Sequence, residues 1–399
     1  MKIAITGDFH FGFSDDALEQ ASQALNKAEA LADVVVVAGD LFDHRVPKQE
    51  TVDDALRLFG RIAKDFEKKN GGVRILEIDA EEGREKELVG APPIIAIFGT
   101  HERRTKGLVN AVQLLDSAGL VVNCHAKKIV VEKAGERVVF QGLGGIPEEY
   151  VKKALKLMEY KPVKGAFNVF VFHQTMREII PIGDEFLAMQ DLPDGFELYV
   201  DGHIHWHQEL EDGGKKLVIP GSTVVTQMKK NETGAKGIVV FDTGTKKSEF
   251  VEINSRPFVY EEIVFREAGI AEVGKKVGEK LAEIAEKFAG REPLVKIKLA
   301  GTLAKGLQNS AIDLKEVEKE FGGKMLLSID KALESAALKE KIEKIRAGRQ
   351  EERKSVQEMG MEILREKLAD GAARYEAEEA EELFAALADG DAEKALAKL

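Results

Sequence analysis

The chain of 399 residues has little cysteine, few aromatic residues and no long apolar run, and two of these shortages exclude a class of protein. Its one cysteine, Cys124, cannot form a disulfide within the chain or a cysteine-ligated zinc site, and we expect a buried structural thiol. The absence of any stretch of about 18 apolar residues argues against a membrane-spanning helix. The first residues, MKIAITGDFH, form a strand pattern rather than a secretory signal, and we expect a protein of the reducing cytoplasm.

Acidic residues are in excess, with 70 Asp and Glu against 58 Lys and Arg and a net charge of −12. This balance argues against a protein that coats nucleic acid through a basic surface. It does not exclude an enzyme that acts on nucleic acid, because surface fields are screened within roughly 8 Å at physiological salt and a local basic strip can serve. The length and the 44% hydrophobic content predict a soluble globular chain of two to four domains.

Strand and helix patterns alternate along the first 255 residues. Continuous apolar runs such as residues 34–38 are typical of strands that are covered on both faces. Helical patterns are predicted at 15–32, 51–67, 107–116 and 147–159. Strands are predicted at 2–6, 34–38, 93–98, 119–123, 128–132, 137–142, 167–172, 197–200, 216–219, 236–241 and 248–253. The expected fold of this part is therefore α/β, with a mixed sheet system.

The character of the chain changes near Ser255. Residues 258–330 show a β-α-β-α-β pattern, which predicts a small second α/β domain. Strand signals stop at 331, and the rest predicts two or three helices with apolar stripes at 356–368 and 383–387. These helices either pack on the body or bind a partner. We expect domains at 1–255, 256–330 and 331–399.

Residues that ligate metals are concentrated just beyond the predicted strands. Because the carboxyl ends of parallel strands meet in one crevice, we expect these side chains to converge. Imidazole together with carboxylate suits Mn, Fe or Zn, whereas carboxylate alone favours Mg. A carboxylate between two metals can hold both for an in-line phosphoryl displacement. The residues are Asp8, His10, Asp40, His101, His173, Asp201, His203 and His205.

Five ordered motifs carry a family resemblance. They are DFH at 8–10, GDLFD at 39–43, GTHE at 99–102, the single His173 and GHIH at 202–205, and together they resemble the calcineurin-like metallophosphoesterases. GDLFD, VFHQ at 171–174, PGST at 220–223 and the regions after 255 are similar to those of the SbcD and MRE-eleven nucleases, here of archaeal type. The resemblance implies a four-layer α/β sandwich with a small α/β cap and a helical C-terminal tail.

The resemblance also implies two Mn²⁺ ions per chain and assigns their ligands. The first ion would be held by Asp8, His10, Asp40 and His205, and the second by Asp40, Thr100, His173 and His203. His101 would stand near the leaving oxygen as proton donor or charge stabiliser, oriented by Asp43. The family usually has Asn at position 100, and a Thr hydroxyl is a weaker, shorter ligand, which predicts a more loosely held second metal.

Basic residues follow the third motif directly. Arg103, Arg104 and Lys106 would lie at the metal crevice and contact DNA phosphates. The pairs at 127–128, 152–153 and 229–230 are more simply explained as solvated lysines.

The function that the resemblance implies is a Mn²⁺-dependent nuclease that processes DNA double-strand breaks. It would act as a 3′-to-5′ exonuclease and as a single-strand and hairpin endonuclease. Its partners would be DNA ends, a second copy of the chain, and a coiled-coil ABC ATPase of the SbcC or RAD-fifty type that binds the C-terminal helices. We expect it in the cytoplasm, associated with the nucleoid and not with a membrane.

Two other functions stay open. One is a small-molecule phosphodiesterase on the same fold, and the other is a weakly catalytic scaffold that binds DNA and the ATPase, for which Thr100 is the only support. Weaker site candidates are His44, His125 beside Cys124, His207 and Trp206.

Overall fold

The computed structural model describes residues 1–69, 72–78, 83–105, 107–181 and 185–335. The helices predicted after 335 therefore lie outside the described residues. The chain divides into two compact units. The first comprises Met1–Tyr260, Phe288–Lys296 and Lys324–Leu326, and the second comprises Glu261–Lys287, Ile297–Gly323 and the residues from Leu327.

The first unit alternates strands and helices as the sequence patterns predict. In order, its elements are β1 (Lys2–Thr6), α1 (Asp16–Leu31), β2 (Val34–Val37), α2 (Gln49–Lys69), β3 (Arg74–Ile78), β4 (Glu85–Glu87), β5 (Ile94–Ala96), α3 (Ala111–Ser117), β6 (Val122–Asn123), β7 (Lys128–Lys133), β8 (Glu136–Leu143), α4 (Glu148–Met158), β9 (Phe167–Phe172), β10 (Leu198–Asp201), β11 (Gln208–Asp212), β12 (Lys215–Ile219), β13 (Gly237–Asp242) and β14 (Lys247–Glu252).

These strands form two sheets. The six-stranded sheet has the order β14-β13-β1-β2-β5-β6, in which β1, β2, β5 and β6 run parallel. The eight-stranded sheet has the order β11-β12-β10-β9-β8-β7-β3-β4, with β12, β10, β9 and β8 parallel. In register, Ile5 lies opposite Val36, and Val36 lies opposite Ile95.

The two sheets face each other between helical layers. Val36 of the first sheet and Phe140 of the second belong to one buried apolar cluster between the sheets. Leu25 and Phe59 of α1 and α2 pack with Val35 on the outer face of the first sheet. Helix α4 packs on the outer face of the second sheet. All four residues of β2 are fully buried because both of its faces are covered. The predicted four-layer sandwich is confirmed.

Three short strands were not predicted from the sequence. β4 is an exposed edge strand with the sequence EKE, and β11, QELED, is the opposite edge of the same sheet. β3, with the sequence RILEI, lies between β4 and β7 and has three apolar residues in its five positions. Charged residues are common on edge strands because they discourage pairing with other chains, so the apolar pattern is weak there.

The second unit contains most of a three-stranded sheet with the order β15-β16-β17. Its elements are β15 (Phe258–Ala268), α5 (Ile270–Lys287), β16 (Leu294–Leu303), α6 (Lys315–Phe321) and β17 (Leu326–Ser335), the predicted β-α-β-α-β order. The expectation that strand structure stops at 331 is wrong, since β17 runs to Ser335. The helix-favouring composition of KALES is overridden by the sheet. No helix among the described residues is long and apolar enough to cross a membrane.

Candidate metal centre

Just beyond three strands, the backbone adopts a left-handed conformation that is rare for residues other than glycine. Asp8, His10, Asp40 and His203 have φ angles of 49°, 49°, 45° and 71°. Such left-handed residues cost about 1–3 kcal/mol each and persist where the surrounding structure holds them for a functional purpose. All four follow strands at the carboxyl end, so the backbone is bent there to direct these side chains into one place.

Two motif glycines allow the site residues to approach each other. A Cβ atom on Gly99 would lie 2.0 Å from Oδ1 of Asp40. A Cβ atom on Gly202 would lie 2.1 Å from the carbonyl oxygen of Ala38 and 2.6 Å from Nδ1 of His173. A side chain at either position would displace a ligand candidate, which explains why the sequence has glycine there.

The predicted ligands form three groups whose nitrogen and oxygen atoms lie within 4.8 Å of one another. The groups are Asp8, His10 and His205; His10, Asp40 and His101; and Asp40, His173 and His203. His10 belongs to the first two groups and Asp40 to the last two, so these two side chains link the three groups.

The spacing within these groups fits a metal ion. Nε2 of His173 lies 3.1 Å from Oδ2 of Asp40, and Nε2 of His205 lies 4.0 Å from Oδ1 of Asp8. Two ligand atoms that lie about 2.1 Å from one ion, at a right angle, are about 3 Å apart. Among the described residues, the buried atoms Asp8 Oδ2, His10 Nε2 and His173 Nε2 have no hydrogen-bond partner. Buried polar atoms without partners are rare, and here they fit divalent metal ions.

Hydrogen bonds on the far side of two histidine rings determine which nitrogen of each ring faces the other predicted ligands. Nδ1 of His173 donates to the carbonyl oxygen of Ala38 at 2.8 Å, so Nε2 is the nitrogen that faces Asp40. Nδ1 of His10 lies 3.2 Å from Oδ1 of Asp43, so its Nε2 is also free. Such outer partners fix the tautomer and the ring orientation of metal-binding histidines.

Asp43 contacts two histidines of the candidate site, rather than the one expected from the motif. Its backbone carbonyl accepts a hydrogen bond from Nδ1 of His101 at 2.8 Å, and its carboxylate lies 3.5 Å from the same nitrogen. The carboxylate lies closer to His10. The atom of Asp43 that lies closest to His101 is therefore its main-chain oxygen, while its side chain lies closer to His10.

His101 differs from the other histidines in exposure. Its side chain is 41% exposed, whereas those of His10 and His173 are almost fully buried. Its backbone N–H donates to Oδ1 of Asp40 at 2.9 Å, and its Nε2 lies 4.0 Å from Oδ2 of the same carboxylate. An exposed imidazole beside the shared carboxylate can reach a substrate. Thr100, the neighbouring residue, places Oγ1 3.5 Å from Oδ2 of Asp40.

The charged side chains of the site shift one another's pKa values. Burial alone would raise the pKa of Asp40, but His173 beside it holds that pKa well below the usual range. Burial would lower the pKa of His173, but the carboxylates of Asp40 and Asp8 raise it to about 10. Burial and the charge of His173 lower the pKa of His203 to about 3. A metal ion that binds Nε2 of His173 would therefore have to displace a proton.

Glu102 is a site residue to which the sequence analysis assigned no role. Its buried carboxylate accepts hydrogen bonds from the backbone N–H groups of Phe42 and Gly99, both at 2.8 Å. Burial and the nearby Asp40 raise its pKa to about 8. Glu102 thus ties the loop after β2 to the loop after β5. In the sequence, the only indication of a role for Glu102 is its position as the last residue of the GTHE motif.

The weaker candidates lie outside the three ligand groups. Nδ1 of His207 donates to the carbonyl oxygen of Ile219 at 2.8 Å, and its ring stacks on Phe250. His44 is 67% exposed and lies 3.3 Å from the Asp43 carboxylate. Nδ1 of His125 accepts from the backbone N–H of Gly144.

Two further candidates have structural partners. Cys124 is buried, and burial raises its pKa to about 12. Nε1 of Trp206 donates to Gln208 at 3.1 Å, and its ring packs on the outer apolar cluster of the second sheet.

Two of the three residues of the predicted basic strip lie among the residues that the structure describes. Arg103 and Arg104 are half-buried and follow His101, and Nη1 of Arg104 donates to the carbonyl oxygen of Arg45 at 3.2 Å. Lys106 lies outside the described residues.

Asp201 lies at the end of β10. Its carboxylate accepts a hydrogen bond from the backbone N–H of Gln174, and burial raises its pKa well above the usual value.

Two facing sheets between helices, with aspartate and histidine ligands gathered at the strand ends, define a metallophosphoesterase, an enzyme that cleaves phosphate esters with bound divalent metals. The family model of the calcineurin-like phosphoesterases matches residues 1–207, and the chain belongs to this family.

Similarity to curated proteins extends beyond this domain. Three archaeal relatives carry the name DNA double-strand break repair protein Mre11. The Methanopyrus kandleri protein is 29% identical over 81% of this chain and 68% of its own length. The proteins of Archaeoglobus fulgidus and Sulfolobus acidocaldarius are 25% and 23% identical, over 64% and 53% of this chain. The chain spans 60% and 56% of these two relatives. The resemblance to the MRE-eleven group is confirmed.

Proposed function

We propose that the chain is a Mn²⁺-dependent nuclease that processes DNA double-strand breaks, as a 3′-to-5′ exonuclease and as a single-strand and hairpin endonuclease. The observation that carries the proposal is the Asp40 carboxylate shared between two ligand groups, with the exposed imidazole of His101 beside it. The names of the archaeal relatives support DNA as the substrate.

Two metal ions, when bound, would polarise the phosphodiester and lower the pKa of an attacking water. The ligands proposed for the first ion are Asp8, His10, Asp40 and His205. Those proposed for the second are Asp40, Thr100, His173 and His203. A divalent metal fits both groups of donors, and the mixture of imidazole and carboxylate supports Mn²⁺.

The remaining chemistry belongs to His101 and its neighbours. Because Nδ1 of His101 is bound to the Asp43 carbonyl, Nε2 is the atom left to hold or deliver a proton at the leaving oxygen. Arg103 and Arg104 adjoin it in sequence and would contact DNA phosphates without reading bases. Lys106 would extend this strip.

A homodimer and an ATPase partner belong to the same proposal. Leu108, Val109 and Leu114, just before and within α3, are 53%, 56% and 48% exposed, and a second copy of the chain would cover them. The C-terminal helices, predicted for 331–399 and here proposed for the residues after Ser335, would bind the coiled-coil ABC ATPase of the SbcC or RAD-fifty type. We place the complex in the cytoplasm at the nucleoid.

The test is cleavage of a labelled hairpin DNA with and without Mn²⁺, beside hydrolysis of bis-p-nitrophenyl phosphate, with Asp40→Ala as the inactive control. We expect Mn²⁺-dependent cutting of the DNA. Hydrolysis of the small ester without DNA cleavage would show a small-molecule phosphodiesterase. DNA binding without either hydrolysis would show a scaffold.

A further inference from the structure

Two buried charged side chains lie behind His205, and no sequence motif pointed to either. Glu232 is 2% exposed and Lys236 is 4% exposed, and Nζ of Lys236 lies 3.9 Å from Oε1 of Glu232. Burying charged groups is costly even when they are paired, and a well-packed apolar pair is often as stable. The reason for burying this pair lies in the groups that it contacts.

The Glu232 carboxylate accepts hydrogen bonds from the loop that follows PGST. Its Oε1 accepts from the backbone N–H of Thr226 at 3.1 Å, and its Oε2 accepts from those of Gln227 at 2.9 Å and Lys229 at 3.3 Å. The hydroxyl of Thr226 lies 3.4 Å from the same Oε1. The carboxylate thus fixes the loop so that the Thr226 hydroxyl has one defined position.

The direction of these hydrogen bonds follows from the chemistry of an ionised carboxylate, which only accepts. The Thr226 hydroxyl donates to Glu232 at 3.4 Å, which leaves its oxygen to accept from Nδ1 of His205, with which it is in close contact. Oε1 of Glu232 itself lies 3.6 Å from that Nδ1, and its negative charge favours a proton on this nitrogen. Nδ1 of His205 then carries the proton, and Nε2 keeps its lone pair. That lone pair is on the nitrogen that faces Asp8.

Lys236 holds the main chain of the same residue. Its ammonium donates to the carbonyl oxygen of His205 at 2.7 Å and to Oγ of Ser222 at 2.9 Å. Ser222 in turn donates to the carbonyl oxygen of Val224 at 2.6 Å. The ring and the backbone of His205 are therefore fixed from two sides by one buried ion pair.

We infer that Thr226 and Glu232 are positioning residues that hold His205 in the tautomer and orientation needed to ligate a metal through Nε2, with Lys236 fixing its main chain. This inference rests on the proposed metal centre. Such outer partners typically change metal affinity by about 10–100-fold when they are removed.

The first experiment is calorimetric titration of the full chain with Mn²⁺. Thr226→Val keeps the shape of the side chain and removes the hydroxyl, so one of two sites should bind about 10–100-fold more weakly. Thr226→Ser restores the hydroxyl and should bind as the wild type does. Thr243→Val is the matched control, because the Thr243 hydroxyl also contacts a carboxylate, that of Glu136, and donates to the carbonyl of Met1.

The second readout needs no metal. In ¹⁵N-labelled, metal-free protein, the His205 imidazole should show a single Nδ1–H tautomer, and Thr226→Val should give a mixture. Two tight ions in Thr226→Val with an unchanged tautomer would overturn this inference alone. Equal weakening in Thr226→Ser would also overturn it. A wild-type chain that binds no Mn²⁺ would overturn the metal centre as well.

Discussion

Removal of the Asp43 carboxylate tests how the first metal ligand group is supported. Its Oδ1 lies 3.2 Å from Nδ1 of His10, and the side chain is 17% exposed. A hydrogen bond to a charged group is worth about 1.5–3 kcal/mol, and partial exposure to solvent favours the lower end. At about 1.4 kcal/mol for each factor of ten, Asp43→Ala should weaken Mn²⁺ binding about tenfold.

The effect should be confined to the site that includes His10. His101 bonds to the backbone carbonyl of Asp43, which alanine keeps, so turnover at saturating Mn²⁺ should change little. Calorimetry with Mn²⁺ measures both affinities, and Asp212→Ala, which removes an exposed carboxylate at the β11–β12 turn, controls for lost charge. Equal losses at both sites, or unchanged binding, would refute the reasoning.

Four further outcomes are expected. His101→Ala should leave two Mn²⁺ ions bound while lowering turnover, and metal loss as large as in His173→Ala would make His101 a ligand. Thr100→Asn supplies a longer carbonyl ligand and should raise Mn²⁺ affinity at the weaker site, where calorimetry showing no gain would count against Thr100 as a ligand. Because the pKa of His173 is raised to about 10 and its proton must leave, Mn²⁺ affinity should rise with pH between 7 and 8, and a flat profile would contradict this. Deleting residues 349–399 should keep basal nuclease activity and abolish ATPase pull-down, and retained ATPase would refute the tail's role.

The predictable part of the fold is where burial leaves a strong pattern. β2 is apolar at every position because a helix layer covers one face and a second sheet covers the other. β4 and β11 have no such pattern, because they are charged edge strands whose identity depends on the neighbour with which they pair. Residues 331–335 have helical composition, and only the sheet makes them a strand.

The same division applies to the site. Asp8, Asp40 and His173 were found because topology brings the ends of parallel strands together. Thr226 and Glu232 lie 21 and 27 residues beyond His205, and only the folded loop brings their side chains behind its ring. The Asp43 carboxylate lies 3.2 Å from Nδ1 of His10 and 3.5 Å from Nδ1 of His101. A difference of 0.3 Å between two histidines cannot be predicted from the sequence.

The most direct test of the two-metal account is anomalous diffraction from crystals of the chain soaked in Mn²⁺. The account predicts two peaks, one beside Asp8, His10 and His205 and one beside His173 and His203, with the Asp40 carboxylate in contact with both. A single peak, or two peaks of which only one contacts Asp40, would contradict it.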